Sequence, residues 1–497
     1  MPRKRLPLTG TYNTRSGTVG ASGVTSIVDV AIVDISIVEK TLGASEKDHR
    51  WINCFPITET DSIGGSKRLY IADRAGFASN STPRSGHVGN AILVWSGQSS
   101  KLMSCFGNTN FKLYDGTTDS GDGTGKATSI TETTVSGTPT LYITSDDNKG
   151  WTYQNGGALT NINDADFPGN ASRTITGAFA HLDGYPFIMD TTGRIYNGDL
   201  NSASAWTAAS YVTANSIPDV GVGVVRHRNT LVGFCRRHFD VFRNAGNPVL
   251  SPLGRIEELS QLIGCIGQHA ITSVGDVIYF IGTTDKGNIG LYAYDGGAAK
   301  KVSRPEHDAA LAVAGPSNIT ITIIVMFGRH FVYITAATAT YAFCIEENEW
   351  HEVVGSENLW YKSTGTAAGS NVLCYAISKT STTGKIFVLN PGNVVYADNG
   401  LAYSASIQTA KWDAGTSQYK FMNSLDIIGD QVTGTWNVAV SDDDYMNFST
   451  ARTIDMSSKR QRAHRWGRFT RRAFALSHTA NGARVEALEP EFELGRF

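Results

Sequence analysis

Leu291-Tyr-Ala-Tyr-Asp-Gly296, preceded by Asp276-Val-Ile-Tyr-Phe-Ile-Gly282, decides how this chain folds. Two runs rich in β-branched and aromatic residues flank a Gly-containing turn, the pattern of a strand pair. The second run ends in Tyr294-Asp-Gly296, and Asp-Gly supplies the positive φ angles that a tight hairpin needs. The same ending recurs at Tyr114-Asp-Gly116, Tyr153-Gln-Asn-Gly156 and Tyr196-Asn-Gly198. Looser copies follow Tyr70, Phe242, Phe343 and Phe387, so the aromatics stand 39 to 52 residues apart. That period suits a four-stranded propeller blade of ~40–50 residues. One blade has an apolar face that it cannot bury alone, so blades stack radially and bury each other. The repeat predicts an all-β chain, a β-propeller of six to eight blades over residues 61–403.

Further strand pairs surround it: Ile319–Met326 with His330–Thr335, and a pair around His227-Arg-Asn229. Arg255-Ile-Glu-Glu-Leu-Ser-Gln-Leu-Ile263 has apolar residues at helical spacing and reads as a short helix. Residues 115–136 are nearly all Gly, Ser, Thr and Asp, and read as a loop inserted in a blade. After residue 400 the strands lengthen, as in Lys420–Ile428 and Gly434–Ser441, which predicts a small β-sandwich over 404–497. Residues 1–60 read as a partly stranded N-terminal extension. Within it, Thr25–Val38 is apolar enough for one or two buried strands. Asp29 and Asp34 interrupt it far short of the ~18 apolar residues of a membrane helix, so no membrane insertion is expected.

Composition narrows the function. The 497 residues hold 43 Lys and Arg against 45 Asp and Glu, a formal charge of -2, which excludes a globally basic nucleic-acid coat. Six scattered cysteines, at 54, 105, 235, 265, 344 and 374, form no Cys-x-x-Cys pair and read as reduced, buried thiols of a cytoplasmically folded protein. Gly121-Asp-Gly-Thr-Gly-Lys126 fails the phosphate-loop pattern, because Ser120 and Ala127 stand where Gly and Ser/Thr belong. Its neighbours Asp115, Asp119 and Asp122 lack EF-hand spacing. Ser145–Thr152 and Ser441–Phe448 resemble the Asp-box of sialidase-like propellers, a turn-stabilising and non-catalytic element. A glycosidase would need two carboxyl groups in the central pocket, and nothing singles out a pair among Asp183, Asp190, Asp240, Asp276, Glu346, Glu347 and Glu349. Cys235-Arg-Arg-His238 offers only two ligands. No catalytic residue, cofactor or metal is expected.

One charge feature stands out. Lys459, Arg460, Arg462, Arg465, Arg468, Arg471 and Arg472 crowd one segment, with Trp466 and Phe469 between them. Three readings are open: a subunit interface, where Arg and Trp are enriched; internal pairing with Glu486, Glu489, Glu491 and Glu493; or contact with nucleic-acid phosphates while the rings stack.

Four motifs in order resemble the tail nozzle, or packaged-DNA stabilisation, proteins of short-tailed double-stranded DNA bacteriophages. They are Asn53-Cys-Phe-Pro56 with Arg74-Ala-Gly-Phe77; Gly221–Phe234 running into His238-Phe-Asp-Val-Phe242; Gly264-Cys-Ile-Gly267 with Asp276–Ile281; and Ser441–Phe448 followed by Arg462–Arg472. Ala75 stands where that family normally has Pro. The resemblance implies a virion structural protein of the tail, made in the bacterial host cytoplasm. It implies a homohexameric ring below the portal and adaptor rings, with a tail needle, fibres or tailspikes as further partners. The ring's lumen would retain genomic double-stranded DNA and conduct it at ejection. The alternative class is a sialidase-like glycosidase or glycan-binding tail protein.

Overall fold

The computed structural model describes residues 6–7, 50–60, 67–284, 286–315, 318–336, 339–355, 359–366 and 372–495. The apolar stretch Thr25–Val38 lies outside them. The chain divides into two compact units. A propeller unit comprises Phe77–Tyr341 and Glu357–Val395, and a terminal unit comprises Met1–Gly76, Ala342–Ser356 and Tyr396–Phe497. These bounds cut the chain differently from 1–60, 61–403 and 404–497: residues 50–76 join the C-terminal strands.

The propeller unit is built from antiparallel sheets of consecutive strands. Gly89–Trp95, Ala127–Val135, Ile175–Leu182 and Gly221–His227 each open a four-stranded sheet. A five-stranded sheet follows, opened by Ile263–Cys265 and Ile271–Val274, both paired with Val277–Thr284. The hairpin Thr320–Met326 with Arg329–Thr335 comes next. The last sheet starts at Leu359–Thr366, and its outer strand is Ala78–Ser81, from the other end of the unit, paired with Ile386–Leu389. Opening strands of successive sheets lie side by side, except that Ile263–Cys265 lies beside Thr230–Cys235 and Phe239–Asn244 of the preceding sheet, and Leu359–Thr366 lies beside Gly89–Trp95, so the cycle closes. Joining first and last strands in one sheet removes the free edge at which such a cycle would open.

The repeated aromatics have a common place. Tyr114, Tyr153, Tyr196, Phe242, Tyr294 and Phe387 all lie on the third strand of their sheet, and all are buried. Adjacent sheets share their cores. Trp95, Met103 and Leu113 of one sheet pack with Leu141, Ile143 and Tyr153 of the next. Tyr142 meets Phe179 at 4.8 Å between ring centroids, and Phe167 meets Trp206 at 5.1 Å. Burying each such ring contributes about 2–3 kcal/mol. Gly116, Gly156 and Gly296 take φ of 61°, 76° and 103°, as the turn reading requires. Gly198 does not. It ends a strand where a Cβ would come within 2.8 Å of Pro186, so glycine is there for close packing. Tyr70 lies in the terminal unit and is no part of this series.

Two local expectations fail. Residues 253–261 form the strand Leu253–Gln261 and not a helix. Its register jumps between the pairs Val241 with Ile256 and Phe239 with Gln261, and the extra residues break the period-two pattern. Residues 115–136 are not a loop, since Thr118–Asp122 and Ala127–Val135 are strands. Ser, Thr and Asp stand there because the outer strand Thr118–Asp122 is largely solvent-facing. The one α-helix among the described residues, Pro305–Ala314, starts with Pro at its first position and Glu306 and Asp308 in its first turn.

In the terminal unit, one sheet runs in the order Cys54–Thr60, Lys67–Asp73, Arg484–Leu494, Lys420–Gly429, Gln461–Phe469, with Leu6–Pro7 also on Arg484–Leu494. Further strands run Glu349–Val353, Arg50–Ile52, Ser404–Gln408, Ala473–Thr479, Thr435–Ser441, Arg452–Asp455. Both sets close on one core that includes Trp51, Ile407, Leu425, Trp436, Trp466 and Leu476. The strands before residue 77 are integral to it, so 404–497 does not stand alone.

Candidate interface on the cationic edge strand

The strand Gln461–Phe469 ends the first sheet of the terminal unit and pairs on one side with Lys420–Gly429. A bulge between Met422 and Ser424 shifts its register. Before the bulge Lys420 and Met422 face inward; after it Leu425 and Ile427 do. Asp426 therefore lies on the outer face, directly across from Arg462. Opposite charges at such a position stabilise the pairing.

Three of the eight singled-out residues are consumed by this fold as cations. Arg462 grips both Asp426 oxygens, Nη2 donating at 2.7 Å, and Arg460 Nε donates to the same carboxylate at 2.9 Å. The hydrogen bonds to Asp426 push the Arg462 pKa up. Arg472 is buried, donates to both Asp442 oxygens at 2.7 Å, and bonds the Trp466 carbonyl at 2.9 Å. Trp466 is a core residue, not an exposed anchor, with the Arg452 guanidinium 4.7 Å over its ring. Of the expected pairing with the C-terminal glutamates, Glu491 lies 3.9 Å from Arg462, and Glu489 acts on the same guanidinium at longer range, both after Asp426. Strand order is the reason. Lys420–Gly429 lies between Gln461–Phe469 and Arg484–Leu494, so its Asp426 meets the arginines first.

Lys459, Arg465, Arg468 and Arg471 are exposed. Lys459, Arg465 and Arg471 meet no carboxylate among the described residues, and Arg468 lies 4.5 Å over the ring of Tyr419. Arg465 takes φ of 63°, the left-handed conformation, where the strand pairing slips. Tyr419 and Phe421 beside it are 47 % and 45 % exposed. Cations along an edge strand with exposed aromatics beside them on the neighbouring strand have the composition of a contact surface. The fold thus separates four outward cations from three structural ones within one segment.

Two of the four motifs behind the resemblance build polar hubs, the first of them buried. Arg74 is 1 % exposed and binds both oxygens of Asp398, at 2.5 and 3.1 Å. Its Nε donates to Asn53 Oδ1 at 2.9 Å, and its guanidinium covers the Tyr403 ring at 3.9 Å. Asn53, at φ of 57°, donates to the carbonyls of Val354 and Ser404. Gly76 has no room for a side chain, since a Cβ would lie 2.2 Å from the Ala397 carbonyl. The acidic turn after Ser441 is a second hub. Ser441 bonds Asp443 and the Tyr445 amide, and Asp442 holds Arg472. Hydrogen bonds from Asn447 keep the Asp443 carboxyl below its ordinary range. Sequence reading missed Asp398, whose only neighbouring signal is the Asn53 and Arg74 pair. It also missed Lys420, fully buried with Nζ on the carbonyls of Thr416, Gln418 and Thr470.

The remaining candidates are structural. Ser145 bonds Asp147 at 2.5 Å and accepts from Trp151 Nε1 at 3.3 Å, an Asp-box-like turn. Asp119 and Asp122 pair with Lys112, and Asp115 pairs with Lys101. Asp190 ties a turn through Thr192 and Arg194. Glu347 accepts from Thr58. The six cysteines are free and buried. Burial pushes the Cys105 and Cys265 thiols up, the latter to about 12. No group of three metal-ligating side chains is present among the described residues.

Solved structures resemble the chain loosely. BamB from Moraxella catarrhalis aligns at 10 % identity and TM-score 0.37, over 68 % of this chain and 97 % of its own. Raptor from Chaetomium thermophilum aligns at 11 % and 0.39, over 69 % of this chain and 29 % of its own. No curated protein matches in sequence. A family model described as the bacteriophage P22 Gp10 β-propeller, of phage stabilisation proteins, matches residues 96–366. That match covers more than half of the sequence and most of the propeller unit, and the chain belongs to this family.

Proposed function

We propose that the protein is a tail nozzle subunit of a bacteriophage virion. It acts by assembly: copies form a homohexameric ring below the portal and adaptor, and its lumen retains packaged double-stranded DNA and conducts it at ejection. The propeller counts as seven blades on this reading, stiff modules suited to a ring under pressure. The single observation that carries the proposal is the family match over residues 96–366.

Two features of the chain support it. A formal charge of -2 suits a conduit that surrounds DNA without gripping it. The outward cations Lys459, Arg465, Arg468 and Arg471 supply a lateral contact for a neighbouring copy or another tail protein. The glycosidase alternative needs two carboxyl groups about 5–10 Å apart in an open pocket. Among the described residues, the pocket on the opening strands of five sheets is lined by one carboxylate, Glu132, which accepts from Ser96 Oγ and the amides of Ser96 and Gly97. Among the described residues no helix is long and apolar enough to cross a membrane.

Electron microscopy of the purified chain and of virion tails tests the reading. Rings with sixfold symmetry, and the same ring at the tail, are expected. A monomer at all concentrations, absent from virions, would sink it.

A further inference from the structure

Two apolar features stand at opposite ends of Leu253–Gln261, the outer strand of the sheet opened by Gly221–His227. Before this strand, the loop 245–252 presents Val249 and Leu250, 71 % and 61 % exposed. Leu250 takes φ of 66°, a left-handed conformation that a bulky side chain avoids unless its surroundings fix it. Here they do. Asn247 Nδ2 donates to the carbonyls of Ser251 and Leu253 at 3.1 and 3.3 Å, and the Ala245 amide donates to the Pro252 carbonyl at 2.8 Å. Pro248 and Pro252 stiffen the rest. The loop is a preorganised apolar knob, so seating it costs little ordering entropy. At the far end of the strand an open groove of about 610 Å³ is lined by Leu259, Leu262, Ile263 and Ala298, with Leu262 62 % exposed. Gln261 braces it, Nε2 donating to the Gly297 carbonyl at 2.6 Å and Oε1 accepting from the Ala299 amide at 2.9 Å.

The knob cannot fill its own groove. Asn244 lies opposite Leu253 and Phe239 opposite Gln261, five steps of ~3.3 Å, so the strand ends stand about 17 Å apart. The two ends also carry opposite charges. Arg243, opposite Gly254 at the base of the loop, is exposed and forms no ion pair among the described residues. Glu258 is the one charged residue lining the groove, and it likewise forms no ion pair among them. Its neighbours Glu257 and Asp295 pair with Arg255 and Lys300. We propose that the knob of one copy of this chain seats in the groove of the next, Val249 and Leu250 against Leu259, Leu262 and Ile263, with Arg243 against Glu258. Knob and groove are different places on one propeller unit, so the contact is heterologous. Each copy uses its knob on one neighbour and its groove on another, and the series closes as a ring or runs on as a filament. The inference rests on the ring reading and gives that ring a contact within the propeller unit.

The test uses the full chain. Leu250→Cys combined with Leu262→Cys, treated with a short bis-maleimide, should give a ladder of covalent multimers. Either single variant should give none, since the six native thiols are buried. Leu250→Asp should weaken association at least tenfold in sedimentation and keep the wild-type melting temperature. Arg243→Glu and Glu258→Arg should each weaken association, and the two together should restore it. Asp183 is the acid at the knob end, where Asn244 Nδ2 holds it at 2.9 Å, and Asp183→Asn should strengthen association. Wild-type rings with no ladder from the double cysteine variant overturn the proposal and leave the ring reading standing. So does a ladder from Leu250→Cys alone, or a Leu250→Asp ring as stable as the wild type. A charge-swapped pair that associates no better than its single variants overturns it too. A wild type that stays monomeric at all concentrations overturns both readings.

Discussion

The propeller unit is held together by repetition, and the terminal unit by single polar bonds between residues far apart in sequence. In the propeller, aromatics about 45 residues apart occupy equivalent third-strand positions, and each sheet buries its neighbour. In the terminal unit, Arg74 reaches Asp398 over 324 residues, and His478 reaches Asp73 at 2.9 Å over 405. Repetition spreads stability over many interchangeable contacts. A hub concentrates it, and losing one partner strands a buried charge. Proton uptake, deletion of one hub residue and removal of surface charge each probe that difference.

Acid should act most strongly. Burial holds His269 near 4 and His307 near 3 in the propeller unit, and His351 near 3 in the terminal unit. Positive neighbours lower each further, namely Lys379, Arg304 and Arg74. The folded values lie below the unfolded 6.5, so the unfolded chain takes up protons first. Stability therefore falls as pH drops below about 6.5, down to the folded values. At pH 4.5 each buried histidine costs roughly 3 kcal/mol. Two sit in the propeller unit and one in the terminal unit. Hydrogen exchange at pH 7.0 and 4.5, corrected for intrinsic rates, should show about twice the loss in propeller strands. An equal loss in both units would contradict this count.

Arg74→Ala comes next. It leaves Asp398 buried without its cation and should cost about 3–5 kcal/mol. The loss should fall on the terminal unit, where Asn53, Val354 and Tyr403 share the hub. Proteolysis under native conditions should open peptides of 396–480 and spare 127–261. Uniform loss across both units would show that the hub is no local clamp.

How much was legible follows from the same contrast. The propeller could be read because one physical need, an aromatic before a tight turn, is stated many times. Its failures lie where the repeat is locally broken. Glu257–Ser260 interrupt a strand register and imitate helical spacing, and the solvent-facing Thr118–Asp122 imitates a loop. The helix Pro305–Ala314 carried its start signals but little amphipathic pattern. The cationic segment was visible as a density of charge. Its division was not, because Asp426 and Asp442 lie 36 and 30 residues before their arginines. Only strand order makes them neighbours. Asn53 and Arg74 were noticed as a pattern, and their meeting at Asp398 became visible only in three dimensions.

The smallest effect on stability is expected where the surface charge is greatest. Arg465→Gln, Arg468→Gln and Arg471→Gln together remove three positive charges and break no carboxylate pair among the described residues. Each substitution at such a site should move stability by no more than ~0.5 kcal/mol. Arg472→Gln, within seven residues of all three, removes a buried cation from Asp442 and should cost several times more. Assembly should rank the two variants in the opposite order. If the outward cations form the lateral contact, the triple variant keeps its melting temperature and loses ring mass in light scattering. Wild-type rings should also loosen as salt rises, since exposed charges are screened beyond about 8 Å at 0.15 M. A triple variant that assembles as the wild type does would free these residues from the interface and point them at another partner. One that melts with Arg472→Gln would show that the segment is structural throughout, and the division between its outward and inward cations would fall.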